Sequence, residues 1–204
     1  MSEEAYSSNP QPVGEWQPIL VTTRDKEGFD AVLYRRGNDY VFATQGSEGA
    51  GGDRREFRED LRANIQQSLG HSEQYHRSIA YARQLSQELW QYRLTFVGHS
   101  KGGGQAIANA RATGRDAIVF NPSSVSRATA KKEQLGKGGK IERHINRGEL
   151  LHLARQRLGR LGALFFDPME SNTADTYYQP LPNSNPIDNH ILNSFRSNRI
   201  GRAQ

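Results

Sequence analysis

Apolar positions early in the chain predict a β-hairpin followed by two helices. The apolar runs at residues 31–35 and 40–45 flank the sequence Gly37-Asn38-Asp39, which is typical of a tight hairpin turn. Helix-forming residues then extend over 55–67 and 72–90. In the second of these segments, apolar residues recur at the helical spacing, namely Ile79, Ala82, Leu85 and Leu89. We expect this stripe to be buried.

The rest of the chain predicts strands and helices in alternation. Residues 94–97 and 117–120 are short, β-rich apolar runs, and the small residues at 105–111 between them favour a closely packed helix. A strand, a helix and a strand in this order indicate a βαβ unit with parallel strands. Further segments are a strand over 141–145, a helix over 150–161, a strand over 164–166 and a final helix over 187–195. The predicted fold class is α/β, with a mostly parallel central sheet and helices on both faces.

The length and the ends of the chain suggest a single domain. A chain of 204 residues suffices for one domain of the usual size. Residues 1–16 are rich in Ser, Pro and Glu without periodicity, so we expect a flexible N-terminal arm before one domain over 17–204. No apolar stretch has the length of a membrane span, and the acidic start differs from a signal peptide, so we expect synthesis in the cytoplasm. The absence of cysteine excludes disulfides, cysteine nucleophiles and thiolate metal sites.

Positive charge is concentrated in one segment. The net charge is +5, but residues 122–160 contain ten Lys and Arg against three Glu, a net charge of +7, so the remainder carries −2. This segment is either a solvated surface or an attraction for an anionic partner, such as anionic lipid headgroups or nucleic acid. It lacks the aromatic residues that interleave with basic ones in single-strand binders, which disfavours nucleic acid.

The sequence GHSKG at residues 98–102 fits the G-x-S-x-G pattern of a nucleophile elbow. It lies between a predicted strand and a predicted helix, as that turn requires. In such an elbow the serine occupies a strained turn that leaves no room for side chains two residues before or after it, so Gly98 and Gly102 avoid clashes. Ser100 is therefore the candidate catalytic nucleophile.

Two backbone amides are candidates for an oxyanion hole. The N-terminus of the helix after Ser100 would stabilise a tetrahedral oxyanion, with the Lys101 N–H as one donor. The second donor in such sites usually comes from a loop after an earlier strand. The Ser47 amide, just after the run at 40–45, is suitably placed for this role.

Four segments of the chain carry a resemblance to a known family. They are YVFATQGSEG at 40–49, EDLRANIQQSLGHSEQYHRSIAYA at 59–82, LTFVGHSKGGGQAIANA at 94–110 and AIVFNPSSVS at 117–126. In this order they resemble the class 3 lipase group of α/β-hydrolases, and more closely the compact lipase-like domains of bacterial type VI and type IV secretion-system effectors. The resemblance implies an α/β-hydrolase fold with Ser100 as nucleophile and Gly46-Ser47 in the oxyanion loop. Residues 48–54 are short, Gly-rich and polar where a true lipase has an apolar lid, so a minimal lid is expected.

A serine nucleophile needs a histidine base. In α/β-hydrolases the acid and then the histidine follow the serine along the chain, which leaves His144, His152 and His190. His190 lies in a loop that enters the last predicted helix and is the favoured base, with His152 as the alternative. His144 lies in a predicted strand beside the basic residues, where a charge-exposed role fits it better.

The carboxylate that orients the base has several candidates. Glu149 follows the predicted strand over 141–145 and matches in position the G-D or G-E step of the resembled family, which favours it as the acid. Its structural alternative is a helix N-terminal glutamate stabilised by the helix dipole. Asp167, after the next predicted strand, is the runner-up, and Asp175 and Asp188 follow.

These residues favour a serine acyl-ester hydrolase, and the resemblance implies a phospholipase A-type bacterial effector. No metal-binding set or phosphate-binding loop is evident, so we expect catalysis without a metal or other cofactor. The expected partners are a phospholipid or other acyl-ester substrate and an anionic membrane. The resemblance also allows export by a specialised secretion system and a cognate immunity protein. The alternatives are a soluble short-chain esterase or thioesterase, and an inactive hydrolase scaffold that binds an anionic partner.

Overall fold

One seven-stranded sheet and the helices beside it make up the described part of the chain. The structure is a computed structural model and describes residues 1–22, 29–46, 73–149 and 172–180. The strands are β1 (Gln17–Thr22), β2 (Ala31–Arg36), β3 (Asp39–Thr44), β4 (Arg93–His99), β5 (Asp116–Phe120), β6 (Ile141–Asn146) and β7 (Thr173–Tyr178). The helices are α1 (Glu73–Glu88), α2 (Ser100–Thr113) and α3 (Arg127–Lys132), and a 3-10 helix spans Glu4–Tyr6.

The order of the strands in the sheet follows the chain from β1 to β7. The first three strands pair antiparallel, and β3 to β7 pair parallel. The predicted hairpin is β2–β3, whose turn contains Gly37 at a positive φ of 56°. The predicted βαβ unit is β4–α2–β5. The mostly parallel α/β sheet predicted from the sequence is thus confirmed.

The two long helices lie on one side of the sheet. α2 packs on β3, β4 and β5, and α1 packs on α2, so that both helices share one apolar core with this face. Right-handed crossovers between sequentially ordered parallel strands place their helices on the same side. The predicted stripe of α1 is buried, since Ile79 and Ala82 are inaccessible and Leu85 is 6% exposed. Leu89 packs against the same core just beyond the helix.

The opposite face of β2 and β3 is covered by the N-terminal residues. Ala5 of the 3-10 helix is 3% exposed. It joins a second apolar cluster with Val32, Tyr34, Val41, Ala43 and Val97. Residues 1–16, for which the sequence predicts a flexible arm, thus contain one short helical turn that packs on the sheet. A few apolar side chains of the segment pack on the sheet, but the Ser- and Pro-rich composition around them gives no apolar pattern from which this packing could be predicted.

Besides the 3-10 helix, three described elements are not predicted from the sequence, namely β1, α3 and β7. β1 contains Pro18 and lies at one end of the described sheet, where a strand tolerates proline. β7 has the sequence TADTYY, whose Thr and Tyr residues favour a strand, so this signal could have been found. The helices predicted over 55–67, 150–161 and 187–195 and the strand predicted over 164–166 lie outside the described residues.

Candidate active site

The turn from β4 to α2 holds Ser100 in a strained conformation. Ser100 is the first residue of α2 and has a φ of 56°, a value that L-residues other than glycine rarely adopt. A Cβ atom on Gly98 would collide with the backbone of Gly102, and one on Gly102 would collide with the backbone of Thr44 and Gln45. Glycine is therefore required at both positions by the close approach of the backbone, as the sequence pattern predicts.

The end of β3 fixes the start of α2 from the adjacent strand. The Thr44 hydroxyl donates to the Gly102 carbonyl at 2.7 Å and also lies 3.2 Å from the Val97 carbonyl oxygen. Thr44 itself is inaccessible to solvent. Lys101 lies in the first turn of α2, at the positive end of the helix dipole, where backbone N–H groups favour a negative charge. A buried hydrogen bond from β3 thus holds the start of α2 at the position where the oxyanion is expected.

The segment after β5 fixes the same turn from the other side. The Ser123 amide donates to the Ser100 carbonyl at 2.8 Å. A Cβ atom on Gly103 would lie 2.9 Å from Pro122, so this glycine lets α2 lie against the segment. The FNP sequence at 120–122 therefore has a structural role beside Ser100, which its place in the sequence does not reveal.

The first turn of α1 also reaches this region. Tyr75 is 8% exposed, and its hydroxyl lies 3.1 Å from the Ser123 hydroxyl. A Cβ atom on Gly104 would collide with both hydroxyls. Tyr75 and Gly104 both belong to the sequence segments that carry the family resemblance, and here they are in contact across the two helices.

His99 is buried and points away from the face on which α2 packs. Its ring is inaccessible, and its Nδ1 atom lies 3.3 Å from the hydroxyl of Tyr6 in the 3-10 helix. The contact with Tyr6 places the His99 ring on the side of the sheet that the N-terminal segment covers. The sequence does not predict the contact with Tyr6, because it depends on the packing of the N-terminal segment on the sheet.

Glu149 is buried close to the carboxyl end of β6. The residue is 2% exposed, and its amide donates to the Asn146 carbonyl at 3.2 Å in a turn where Gly148 has a φ of 79°. The Asn146 amide in turn donates to the side-chain oxygen of Asn121 at 2.9 Å. Since the carboxyl ends of parallel strands meet at one edge of a sheet, Glu149 and Ser100 lie at the same edge.

Two weaker candidates have other partners. Asp175 forms a bidentate ion pair with Arg143, with N–O distances of 2.6 and 2.7 Å, in the middle of the β6–β7 pair. His144 stacks on Phe120, with ring centroids 5.0 Å apart, and its Nδ1 atom lies 2.8 Å from the Tyr178 hydroxyl. Ser47, Asp167 and His190, with the alternatives His152 and Asp188, lie outside the described residues.

A parallel sheet that carries a serine on a strained strand-to-helix turn defines the class of α/β-hydrolases. Structural comparison agrees with this class. A fungal lipase in complex with an inhibitor has a TM-score of 0.55 at 13% identity, over 87% of this chain and 75% of that chain. A triacylglycerol lipase from Penicillium expansum has a TM-score of 0.51 at 14% identity, also over 87% of this chain and 75% of that chain. These similarities show the fold.

Sequence comparison defines the family within this class. A family model described as phospholipase-like, a Tle-like phospholipase domain, matches residues 9–159, and the chain belongs to this family. The extracellular phospholipase A1 of Serratia liquefaciens is 34% identical over 100 residues, which are 48% of this chain and 28% of that protein. The match thus spans less than a third of the length of this relative. None of the helices in the described ranges has an apolar stretch that could span a bilayer.

Proposed function

We propose that this protein is a serine acyl-ester hydrolase of the phospholipase A type that acts on membrane lipids. The observation that carries the proposal is the φ of 56° at Ser100, on a strand-to-helix turn bracketed by two glycines. Strain of this kind persists where the surroundings enforce it, and it is concentrated at functional sites. The phospholipase-like family and the name of the Serratia relative support a phospholipid substrate.

In the proposed mechanism, Ser100 Oγ attacks the ester carbonyl carbon while His190 accepts the hydroxyl proton. Glu149 orients His190 and stabilises its protonated ring. The amides of Ser47 and Lys101 bind the oxyanion, and the positive end of the α2 dipole favours the same charge. His190 then protonates the leaving alcohol, and a water molecule activated by His190 releases the fatty acid from Ser100.

Glu149 is supported as the acid by its burial and by its position. Glu149 is 2% exposed and lies after β6, at the edge of the sheet where Ser100 follows β4. In the proposed mechanism, the protonated histidine is the charge partner of this carboxylate. Asp175 is less suitable because its two oxygens bind Arg143. Asp167 stays the alternative acid.

An anionic membrane is the proposed surface on which the enzyme works. Arg127 and Arg147 are exposed, and they follow the carboxyl ends of β5 and β6, the edge that holds Ser100. Each cationic side chain near an anionic bilayer contributes about 1 kcal/mol to membrane binding. Both arginines would therefore bring this edge towards the substrate.

The proposal extends to a bacterial effector that acts outside the cell in which it is made. The support is the resemblance to secretion-system effector domains together with a relative that is named as extracellular. Export by a specialised secretion system and a cognate immunity protein belong to this extended proposal.

The test compares fatty-acid release from phosphatidylglycerol and phosphatidylethanolamine vesicles by the wild type and by Ser100→Ala. We expect release to fall at least about 1,000-fold in Ser100→Ala, because the nucleophile is lost. The exposed Ser8 provides a matched control, and Ser8→Ala should retain full activity. Fluorophosphonate labelling should disappear in the first variant only.

The same variants directed to the periplasm of a test bacterium examine the effector role, since only active protein should arrest growth.

Each alternative has its own signature in this experiment. Hydrolysis of short-chain esters without release from vesicles would favour a soluble esterase. Full activity of Ser100→Ala would refute the serine mechanism. Salt-sensitive binding to an anionic partner, with neither hydrolysis nor fluorophosphonate labelling, would favour an inactive scaffold.

A further inference from the structure

The hydroxyl of Tyr6 joins two segments of the chain that adjoin the proposed catalytic groups. The backbone amide of Gly46 donates a hydrogen bond to this hydroxyl, and the Nδ1 atom of His99 lies 3.3 Å from it. Gly46 directly precedes Ser47, the proposed oxyanion donor, and His99 directly precedes Ser100, the proposed nucleophile. One phenol oxygen therefore connects the residues before both groups.

The contact between these segments is tight. A Cβ atom on Gly46 would collide with the Tyr6 hydroxyl and lie 2.6 Å from the His99 carbonyl oxygen. Burial raises the pKa of the Tyr6 phenol well above its usual value, and the hydrogen bond from Gly46 opposes this rise only in part. The phenol is therefore a neutral hydroxyl at physiological pH, able to accept from Gly46 while it shares a proton with His99.

The surroundings of Gly46 make the hydrogen bond from its amide to Tyr6 important for the position of the Gly46 backbone. A cavity of about 270 Å³ borders Gln45, and Ala5, Tyr6 and Thr22 contribute to its walls. The cavity therefore lies beside Gln45, whereas Gly46 itself is buried. Since a cavity provides no packing contacts to Gln45, the Tyr6 hydroxyl is a specific restraint on the backbone at the next residue, Gly46.

We propose that Tyr6 is a positioning residue that sets the distance between the proposed oxyanion loop and the nucleophile elbow by bridging Gly46 and His99. This inference rests on the proposed function, because it assumes that Ser47 and Ser100 act in the same reaction. Oxyanion donors are effective only when they are held in place before the charge develops. The N-terminal segment would then contribute to catalysis through a residue that does not touch the substrate.

The test is Tyr6→Phe, which keeps the ring and removes the hydroxyl. We expect kcat for vesicle or soluble ester hydrolysis to fall by about tenfold, with KM changed less than about twofold, because a misplaced donor weakens transition-state binding selectively. A trifluoromethyl ketone that forms a tetrahedral adduct should lose affinity by a similar factor. An ether-linked phospholipid analogue, which cannot form the adduct, should bind unchanged.

Tyr34→Phe is the matched control. Tyr34 is inaccessible and belongs to the cluster below the same N-terminal segment, but its hydroxyl has no hydrogen-bond partner within the described part of the chain. Burial, with a smaller contribution from the Glu4 carboxylate, raises the pKa of Tyr34 to about 12. Removal of this hydroxyl should leave kcat and adduct affinity at wild-type values.

A second variant covers the case in which Tyr6→Phe does not fold. Gly46→Ala keeps the phenol but forces it away from the loop, and we expect a similar loss of kcat and adduct affinity. Wild-type kcat in folded Tyr6→Phe, or in Gly46→Ala where the first does not fold, would overturn the inference. A loss of thermal stability in Tyr6→Phe without a loss of kcat would also overturn it. Absence of ester hydrolysis in the wild type would instead refute the proposed function.

Discussion

At the scale of single residues, backbone strain marks the candidate site better than residue type does. Ser100, Asn121 and Gln134 are the non-glycine residues with positive φ in the described ranges, and the first two are within or beside the site. Ser100 is predictable from the sequence, because the glycines that permit its conformation are close to it in the chain. The role of Asn121 depends on the pairing of β5 with β6, which no local pattern contains.

Asn121→Ala should destabilise the protein and reduce its activity. Asn121 has a φ of 39°, its amide donates to the His144 carbonyl at 2.8 Å, and its side-chain oxygen accepts from the Asn146 amide before the turn to Glu149. Alanine loses the acceptor and tolerates the positive φ poorly, so the free energy of unfolding should fall by about 2–3 kcal/mol. Urea unfolding and kcat measure the two effects.

Two other substitutions at this position separate the causes. Asn121→Asp keeps an acceptor oxygen and a residue type that tolerates positive φ, so it should remain close to wild type. Asn121→Gly removes the acceptor but relaxes the strain, so its free energy of unfolding should lie between those of Asn121→Asp and Asn121→Ala. Equal stability and activity of the wild type and Asn121→Ala would show that the hydrogen bond between Asn121 and Asn146 does not support the turn that leads to Glu149.

At the scale of elements, the sequence predicts those with a clear period and misses those that depend on tertiary contacts. α1 and the strands β2 to β6 have strong apolar patterns, and the structure confirms them. The 3-10 helix at Glu4–Tyr6 is too short for a period and is stabilised by contacts with β2 and β3. α2 begins at Ser100, earlier than the sequence predicts, because the three glycines at 102–104 weaken the helix signal. Glycine is nevertheless needed at 103 and 104, since Pro122 and Tyr75 lie too close for a side chain.

The contact between α1 and α2 contains a buried polar pair whose energy can be measured. Ser78 and Asn109 are inaccessible to solvent. The side-chain nitrogen of Asn109 donates to the Ser78 hydroxyl at 2.8 Å, and this hydroxyl lies 3.1 Å from the Asn109 side-chain oxygen. Each single alanine substitution should cost about 1–3 kcal/mol, because it leaves the other polar group unsatisfied. The double variant should cost less than the sum, with a coupling of about 1 kcal/mol from denaturant unfolding.

An exposed pair on the same helix provides the control for this cycle. The Gln84 side chain donates to Glu88 at 2.8 Å on the solvent side of α1. Its coupling should be about 0.5 kcal/mol or less, as is usual for pairs one turn apart on a helix surface. Additive effects at Ser78 and Asn109 would mean that the buried pair does not couple the two helices.

At the scale of the whole molecule, the sheet brings together residues that are distant in the sequence. Thr44, Ser100, Ser123 and Glu149 come from the ends of four neighbouring strands and meet at one edge. The succession of βαβ units predicts that edge, since all parallel strands end on the same side. The sequence does not predict which polar residues bind one another there, because these contacts depend on strand register and on the N-terminal segment. Tyr6 and His99, for example, are 93 residues apart in the sequence.

The distribution of positive charge between the two edges of the sheet gives a prediction for the whole molecule. Arg127 and Arg147 follow strand ends at the edge that holds Ser100, whereas Lys137 and Lys140 precede the start of β6 at the other edge, and all four are exposed. Charge reversal of Arg127 and Arg147 to Glu should weaken binding to phosphatidylglycerol vesicles by about 30-fold or more at low salt, at about 1 kcal/mol per charge lost. The matched variant Lys137→Glu/Lys140→Glu has the same net charge but should bind nearly as well as the wild type, because its altered charges face away from the membrane.

Vesicle sedimentation at increasing salt measures both variants, and the difference between them should disappear as the charges are screened. Equal weakening in the two variants would show that only net charge matters and that the protein does not present its Ser100 edge to the bilayer.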